Sequence, residues 1–590
     1  MNKFKLTRHN VLHLFSAVSD ACVNEPYTKS RFISDLLAGI TVGIIAIPLA
    51  MALAINSGVD PQYGLYTSII TGIVIALTGG SRYSISGPTA AFVVILLPIA
   101  QKYGLAGLLT ASVMSGFFLL FFSAMRMGRL IIYIPIEVTQ GFTLGIGILI
   151  ATLQLKDFFG MQIESMPGEF YEKVVVLAEN LPKLNWADTT VGLVSLIVVF
   201  GWPKLRHVFT GKLSLLFTKV PSHLPAIIFG MIAASIIVKA TGDSSIIQTI
   251  GSKFHYTNPD GSIGNGIPPF LPTFALPWNL PGADGQPMQW NMEVFQQLLM
   301  ASFSMAVLGA IESLLCAVIL DGMTGTKHHS NSELLGQGIG NILAPFFGGI
   351  TATAAIARSA ANVRAGGTSP IASVIHALVV LLAILALAPF LSLLPLSSMA
   401  ALLLMVAYNM SDLKGVSKTV RTVPKGDVLI LIICVSLTVF FDMVVAIAFG
   451  CIMAAMMFMR SMAKLTIWVD QLKVHTTMRE QVPEGWNLYK INGPLFFAAA
   501  DRVFNDMIVN LNSTKGLILD VSSVNVLDAG GLSSFQHFAE DLRRAGVKLL
   551  VCELQYQPLK TLVRAKFEPV SGVVELSRTV EDAIERSHQM

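Results

Sequence analysis

Arg358 is the residue of this chain that most clearly calls for a chemical explanation. It lies in a weakly polar stretch, residues 348–363, between strongly apolar segments. An ionisable side chain inside a bilayer is costly, and it usually faces a protein interior or a watery cavity on an ion or substrate path. We therefore expect an anion site at Arg358, whose guanidinium can complement a carboxylate with two parallel hydrogen bonds. The alternative is a local structural role, in which Arg358 bonds backbone carbonyls or Glu312.

Residues 84–92, Ser-Ile-Ser-Gly-Pro-Thr-Ala-Ala-Phe, form a second segment of small residues that interrupts the apolar pattern. Gly87 and Pro88 suit a bend, because proline is tolerated at the first helical position, where no N–H partner is needed. A proline kink between two ordinary spans is an equally good interpretation of this segment alone. If the segment starts a helix, three residues would offer backbone N–H groups and one hydroxyl to a ligand: Thr89, Ala90 and Ala91.

Glu312 is the other charge that we expect to be buried, within the apolar residues 303–320. Desolvation favours the neutral form of a carboxyl group, whereas a nearby Arg358 would favour the anion. These opposing effects would let proton occupancy respond to substrate, which suits proton coupling. The alternative is a permanent pair of Glu312 with Arg358 that stabilises the core.

The composition places these residues in a membrane. Of 590 residues, 53% are hydrophobic and 13% are charged, whereas soluble domains are about 25% charged; mean hydropathy is +0.66. The first apolar run follows a charged leader and precedes many others, so it is not a cleaved signal peptide. A span needs roughly 20 mainly apolar residues, and we expect about twelve to fourteen crossings, the clearest at residues 36–55, 105–125, 191–199 with their flanks, 378–394, 428–441 and 446–459.

Lysines and arginines near alternate span ends predict the orientation, because short cytoplasmic loops carry an excess of them. The intervening loops, such as residues 56–62 and 239–293, are poorer in cations. Both termini are therefore expected in the cytoplasm, and the net charge of +4 indicates topology rather than nucleic-acid binding. The cation clusters are Lys29 and Arg31; Arg126 and Arg129; Lys204, Arg206, Lys212 and Lys219; Lys414, Lys418, Arg421 and Lys425; and Arg460 and Lys464.

Metal, cofactor and catalytic signals are weak. His328-His329 is the only adjacent histidine pair, and two neighbouring loop residues rarely complete a metal shell alone. No nucleophile–base constellation or phosphate loop stands out, so we expect no enzyme, no cofactor and no metal. The scattered cysteines predict neither a disulfide framework nor a zinc site: Cys22, Cys316, Cys434, Cys451 and Cys552.

A second domain follows Lys464, where the apolar runs stop. Alternating strands and helices over about 120 residues predict a small α/β domain. The predicted strands are residues 486–492, 516–521 and 547–552, and the predicted helices are residues 499–511 and a helix that opens at Asp528 and runs to about Ala545.

Two motifs give the chain a specific resemblance. Asp520-Val-Ser followed by Asp528-Ala-Gly-Gly resembles the signature of the STAS domain, which sulfate transporters share with bacterial anti-sigma factor antagonists. Residues 61–66, Pro-Gln-Tyr-Gly-Leu-Tyr, resemble the signature of the SulP family of anion permeases, and the chain is identified as a member of it. Residues 44–54 and 305–316 are similar to proteobacterial members that transport C4-dicarboxylic acids.

The resemblance implies an α-helical polytopic membrane protein of fourteen spans, built as two inverted seven-span repeats with core and gate domains. A small cytoplasmic α/β STAS domain follows. The expected boundaries are a cytoplasmic N-terminal segment at 1–34, a transmembrane transport domain at 35–466 and the STAS domain at 467–590. The third and tenth spans would be half-helices preceded by short strands, whose N-termini attract an anion from both sides.

Residues 354–359 match the family's tenth-span substrate segment. Many sulfate permeases carry Gln where this chain has Leu49, and the missing donor favours a bulkier, partly apolar anion. Glu312 and Cys316 occupy positions where some sodium-coupled bicarbonate members have Asp and Thr; a thiol is a poor ligand for a hard cation, so sodium coupling is disfavoured. Glu312 is the implied proton-coupling residue, and the implied substrate-binding residues are Leu49, Pro88, Thr89, Ala90, Ala91, Ala354, Ala355, Ile356, Ala357, Arg358 and Ser359.

Regulation by phosphorylation is not expected at the usual STAS position, because Ala529 replaces the phosphorylatable serine of regulatory STAS proteins. Ser533 and Ser534 lie one turn on, and we interpret them as ordinary residues of a helix N-terminus. A structural or partner-docking role for this domain is the interpretation that we favour.

Proton-coupled import of C4-dicarboxylates such as succinate, fumarate or aspartate, by elevator-like alternating access, is the leading functional hypothesis. The alternatives are an inorganic anion permease for sulfate or bicarbonate, and a membrane-anchored STAS sensor. A nucleobase permease is disfavoured, because its neutral substrate needs no Arg358. The expected setting is the bacterial inner membrane, with a homodimer in the lipid bilayer and a cytoplasmic protein partner at the STAS domain.

Overall fold

The structure is a computed structural model that describes residues 14–129, 134–163, 166–205, 220–258, 260–441, 443–474, 476–511 and 514–590. The predicted loop cations Arg206, Lys212 and Lys219 lie outside these residues. The chain divides into two compact units, Met1–Cys451 and Ile452–Met590.

Helices account for most of the described chain before the α/β domain. The longer ones are α1 Lys29–Asn56, α2 Pro61–Thr78, α3 Ala90–Ala124, α4 Ile136–Phe158, α5 Phe170–Asn180, α6 Trp186–Leu205, α7 His223–Thr241, α8 Met292–Thr324, α9 Ser330–Leu343, α10 Ile356–Arg364, α11 Ile371–Leu391, α12 Leu396–Ser411, α13 Leu413–Thr422, α14 Lys425–Phe440 and α15 Met443–Leu465. Short helical turns lie at Ser16–Val18, Ser19–Val23, Leu181–Lys183, Ser244–Ile246, Ile250–Lys253, Pro277–Asn279 and Ala344–Phe347.

Several membrane helices are too short to stand out by hydropathy, and one long helix joins two segments. Among the described residues, nine helices are long and apolar enough to cross a membrane, with α12 and α13 counted together. Helix α3 contains two segments, because Gly104 adopts a left-handed backbone (φ 64°) that breaks it. With the shorter α2, α9, α10 and α14, the order matches the fourteen segments that the resemblance implies.

The helices of the first unit pack in two groups. Helices α1, α2, α3, α8, α9, α10 and α11 pack on one another and form the core group, whereas α4, α6, α7, α12 and α14 form the gate group. The core helices approach closely; a Cβ on Gly43 of α1 would lie only 2.7 Å from the Val379 side chain of α11.

Buried carboxylates fix the ends of the core helices. Asp35 of α1 is fully buried and accepts hydrogen bonds from Tyr27 and from the backbone and hydroxyl groups of Thr368 and Ser369, at 2.5–3.2 Å. Glu333 of α9 accepts from two backbone N–H groups of the loop after α2, each at 3.0 Å. These hydrogen bonds hold together segments that are distant in sequence.

Among the described residues of the first unit, four short strands form two pairs. β1 Ser86–Gly87 pairs with β4 Thr353–Ala354, and β2 His255–Thr257 forms a hairpin with β3 Ile263–Asn265. The first pair lies inside the core group, because every residue in it is buried. It is therefore the element that can position a site.

The second unit is a five-stranded sheet with helices on both faces. Its strand order is β5-β6-β7-β8-β9, with β5 antiparallel to β6 and the other pairs parallel. Leu517, Leu519 and Val521 of β7 face one core cluster and Ile518 faces the other. The strands are β5 Ile467–Asp470, β6 Trp486–Asn492, β7 Gly516–Ser523, β8 Lys548–Cys552 and β9 Val574–Ser577, and the helices are α16 Ala500–Val509, α17 Ala529–Arg544, α18 Tyr556–Arg564 and α19 Val580–Ser587, with short turns at Gln471–Val474 and Thr476–Arg479.

The predicted elements of this unit are confirmed. The strand expected at residues 486–492 is β6, and those expected at 516–521 and 547–552 are β7 and β8. The two expected helices are α16 and α17, and Asp528 is the N-cap of α17, where its Oδ1 accepts from the Gly531 N–H at 2.7 Å.

Candidate functional site

The β1–β4 pair brings two half-helices to one point. Ser86 pairs with Ala354 and Gly87 with Thr353 in antiparallel register. Helix α3 starts at Ala90, shortly after β1, and α10 starts at Ile356, shortly after β4. The chain therefore has the strand-then-half-helix arrangement that the resemblance implies for the third and tenth spans.

Both half-helices begin without a side-chain cap. Their N-cap residues, Thr89 and Ala355, make no capping hydrogen bond. The first N–H groups of a helix have no partner within the helix, and they carry the positive end of its dipole. The two uncapped N-termini therefore lie next to the β1–β4 pair, where they can attract an anion. We call this place, the strand pair with the starts of α3 and α10, the β1–β4 crossing.

Side chains from neighbouring helices complete the hydrogen bonds of this very short sheet. The Ser359 hydroxyl of α10 accepts from the Ile85 N–H at 2.9 Å, and the Ile85 carbonyl accepts from the Ala355 N–H at 2.9 Å. The Asn341 side chain of α9 donates to the Ala352 carbonyl and accepts from the Ala352 N–H, at 2.9 and 2.7 Å. These bonds fix the start of α10 against β1.

Arg358 combines a structural bond with an unused donor. Its side chain is 3% exposed, and its Nη2 donates to the Pro88 carbonyl at 2.5 Å. Its Nη1 is buried and has no hydrogen-bond partner among the described residues. The expected structural role, bonding a backbone carbonyl, is therefore present, and a donor is left over for a ligand.

Glu312 bonds hydroxyl groups rather than Arg358. Its Oε2 accepts from the hydroxyls of Thr89 and Thr353, each at 2.9 Å, and these hydroxyl oxygens lie 3.0 Å apart. Both residues are described, and no ion pair within 4.0 Å joins Glu312 to Arg358, so a direct pair of the two is not what stabilises the core here.

The three oxygens form a ring that can hold a variable number of protons. Each threonine hydroxyl has one donor, and an ionised carboxylate has none. When Glu312 is ionised, the two threonine hydroxyl protons are the donors available to the three oxygen–oxygen contacts. When Glu312 is protonated, its own proton is a third donor, and each of the three contacts can then be a hydrogen bond. The ring also engages Thr89, an N-cap residue whose hydroxyl would otherwise be free to cap α3.

The other predicted site residues have different surroundings. Leu49 is buried on α1, directly after Pro48. Ala357 is exposed, in contrast to its neighbour Arg358. Cys316 packs against Ala354 at the core of a small cluster. Most of the predicted set is buried around the crossing: Pro88, Thr89, Ala90, Ala91, Ala354, Ala355 and Ser359, with Ile356 half-buried.

Sequence reasoning missed Thr353 and Asn341, which shape the site through a hydroxyl and an amide. Thr353 lies in a run of alternating threonine and alanine, Thr-Ala-Thr-Ala-Ala, and this alternation at residues 351–355 is the signal that could have suggested a strand. Asn341 is a buried amide on α9, which carries no distinguishing spacing.

The histidine pair makes local contacts. His328 Nδ1 lies 2.8 Å from Asp321 and its Nε2 lies 2.9 Å from the Ser330 hydroxyl, whereas His329 Nε2 lies 2.8 Å from Asp20. In the part of the chain that the structure describes, no group of three or more His, Cys, Asp and Glu side chains could hold a metal ion.

In the α/β unit, the two signature aspartates organise loops. Asp520 pairs with Lys490 at 3.2 Å and accepts from the Ser522 N–H at 2.8 Å. Burial raises the pKa of the nearby Cys552 thiol. Ala529 is exposed at the start of α17, and the buried Ser534 hydroxyl donates to the exposed Asp501 at 2.5 Å.

A Gly87→Ala substitution is expected to displace Arg358. A Cβ at this position would lie 2.6 Å from Nη1 and 3.0 Å from Nη2, and overpacking of this kind costs about 1–3 kcal/mol. The thermal midpoint of the purified protein should fall. Gly322→Ala is the control, because a Cβ there meets nothing within 4 Å; equal stability of the two variants would contradict the packing described for Arg358.

Comparisons with known proteins agree with this geometry. The profile of the sulfate permease family matches residues 32–434, and that of the STAS domain matches residues 478–583. A putative sulfate transporter of Bacillus subtilis, YvdB, is 36% identical over 91% of this chain and 94% of its own length. The bicarbonate transporter BicA of Picosynechococcus is 27% identical over 83% of each chain.

The fold is also that of a solved transporter. The murine anion transporter Slc26a9, in the inward-facing state, superposes with a TM-score of 0.78 at 20% identity, over 98% of this chain and 94% of the other. The family match covers more than half of the sequence, and the chain belongs to the sulfate permease family.

Proposed function

We propose that this protein is a membrane permease for small inorganic oxyanions, the class that includes sulfate and bicarbonate. The observation that carries the proposal is the β1–β4 crossing, where two uncapped helix N-termini meet a buried arginine with an unused donor. A buried cation without an ionic partner is costly, and a bound anion would offset that cost.

The contacts that an anion would make follow from the groups present. The first-turn N–H groups of α3 and α10 can donate to its oxygens, as they do at other helix N-termini that bind anions. Arg358 Nη1 can add a charge-assisted bond. All these donors belong to the core group of helices, so an elevator-like movement of that group against the gate group would carry the anion across.

Sulfate and bicarbonate are preferred over C4-dicarboxylates because of the relatives. YvdB is named a putative sulfate transporter and BicA a bicarbonate transporter. Import of succinate, fumarate or aspartate stays a prediction that rests on the motif resemblance and on Leu49. The orientation of the termini, the homodimer and a protein partner at the STAS domain likewise stay predictions.

Proton coupling through Glu312 is the second part of the proposal. The ring of Glu312, Thr89 and Thr353 contacts both half-helix segments of the site, because Thr89 directly precedes α3 and Thr353 belongs to β4, which precedes α10. When Glu312 gains a proton, its carboxyl group becomes a hydrogen-bond donor. The hydroxyls of Thr89 and Thr353 then no longer both have to donate to the carboxyl group. Proton occupancy can thereby alter the N-terminus of α3, where the anion would bind.

Arg358→Ala should strongly reduce saturable anion uptake. Losing a hydrogen bond to a charged group costs about 1.5–3 kcal/mol, or roughly 10- to 150-fold in affinity. Arg358→Lys should recover part of it, since lysine keeps the charge but not the planar fork. Uptake of labelled sulfate, bicarbonate and succinate into proteoliposomes measures this and ranks the three substrates.

The control is Arg364→Ala, which removes an exposed arginine from the same helix. Unchanged affinity in Arg358→Ala would contradict the site. Saturable uptake of succinate alone would replace the inorganic-anion proposal by the dicarboxylate one, and no transport by the full chain would favour a membrane-anchored sensor.

Glu312→Gln should remove the pH dependence of uptake. If protons accompany the anion, the wild type will transport faster at about pH 5 than at about pH 7.5, because the carboxyl group must be protonated for each cycle. Glutamine cannot exchange a proton, so the variant should respond little to pH. Glu293→Gln, an exposed substitution on the same helix, is the matched control. Wild-type pH dependence in Glu312→Gln, or a strict requirement for sodium, would exclude this coupling.

A further inference from the structure

Three buried polar side chains behind the β1–β4 crossing have unused hydrogen-bonding capacity. Ser68 Oγ and Arg358 Nη1 have no hydrogen-bond partner among the described residues, and of the two His376 ring nitrogens at most one is satisfied, by the Ser373 backbone of its own helix. Ser68 and His376 are fully buried, and Arg358 is nearly so. Buried polar atoms are almost always hydrogen-bonded, so a group of unpartnered ones indicates a ligand.

These side chains lie along one face of α2, which carries Ser68; Arg358 belongs to α10 and His376 to α11. Ser68 Oγ and Arg358 Nη1 lie 3.1 and 2.6 Å from the point that a Cβ of Gly87 would occupy, so they border the same space. His376 Nδ1, on α11, lies 3.3 Å from the corresponding point at Gly72, one helical turn after Ser68.

The chemistry of the three groups fits water. Arginine only donates, a serine hydroxyl donates and accepts, and a neutral imidazole has one donor and one acceptor. A buried water typically makes about three hydrogen bonds to polar groups that would otherwise be unsatisfied. Water can accept from Arg358 while it donates to Ser68 or His376, whereas a metal cation would be repelled by the guanidinium.

We propose that Ser68, His376 and one of the two N–H groups of Arg358 Nη1 hold internal water beside the β1–β4 pair, and that this water positions the Arg358 guanidinium, whose second Nη1 N–H stays available to the anion. His376 and Ser68 are then positioning residues that act through Arg358. The positioning role rests on the proposed function, because it concerns the arginine of the anion site. The water site itself does not depend on transport.

Radiolytic footprinting of the full-length wild-type protein tests the water site. Hydroxyl radicals made by an X-ray pulse oxidise side chains that touch water, including bound water, and mass spectrometry locates the products. After each rate is divided by that of the free amino acid, we expect His376 to be oxidised about tenfold faster than Met51 and Met305, because ordered water touches only the first. These two methionines are equally buried, so they are matched controls. Protection of His376 to the level of the methionines would overturn the proposal.

Kinetics of the variants test positioning. Ser68→Ala and His376→Leu should each raise the KM of anion uptake about three- to tenfold with little change in kcat, because the guanidinium loses its support. His376→Gln, whose amide can hydrogen-bond, should restore most of the affinity. Ser115→Ala is the control, since this buried hydroxyl bonds within its own helix. An unchanged KM in both Ser68→Ala and His376→Leu would overturn the positioning role.

The two experiments also separate this inference from the proposed function. Oxidation of His376 together with anion uptake that survives Arg358→Ala would leave the water site standing and reject the anion site. Protection of His376 together with uptake that requires Arg358 would do the reverse.

Discussion

The pairing of β1 with β4 is the interaction on which the membrane unit depends. It joins two parts of the chain that are distant in sequence: Pro88, next to β1, and Arg358, in α10, are 270 positions apart. Two residues per strand are too few to be stable alone. Ser359 and Asn341 supply the missing hydrogen bonds, and burial inside the core group shields them from bulk solvent. The crossing then fixes where α3 and α10 begin, and thereby where their free N–H groups lie.

The two charged side chains of the site have separate partners, which gives them separate roles. Arg358 is held by a backbone carbonyl and keeps a free donor, whereas Glu312 is held by two threonine hydroxyls. A direct ion pair would satisfy both charges and leave little reason for an anion to bind. Because Thr89 turns to Glu312, it does not cap α3, and the helix end stays open to a ligand.

Much of this could be predicted from the sequence where the signal is local. Gly87 and Pro88 marked the start of a broken helix, Arg358 marked its counterpart, and Asp528 marked the N-cap of α17. The pairing register could not be predicted, because two-residue strands have no usable periodicity and their partners are distant in sequence. Glu312 was expected near Arg358, yet its bonds go to Thr89 and Thr353, since short hydroxyl side chains reach a carboxylate without the cost of burying an ion pair. Ser68 and His376 are ordinary in an apolar run and become informative only when their lack of partners is known.

Locating a bound oxyanion is the most direct test of the central claim, that an anion binds between the half-helices. Selenate can stand in for sulfate, because its selenium atom can be identified by anomalous scattering in crystals of the full-length protein. We expect its oxygens within hydrogen-bonding distance of the first-turn N–H groups of α3 and α10 and of Arg358 Nη1, at about 2.7–3.2 Å. A well-occupied selenate elsewhere in the membrane unit, with none at the crossing, would contradict the claim.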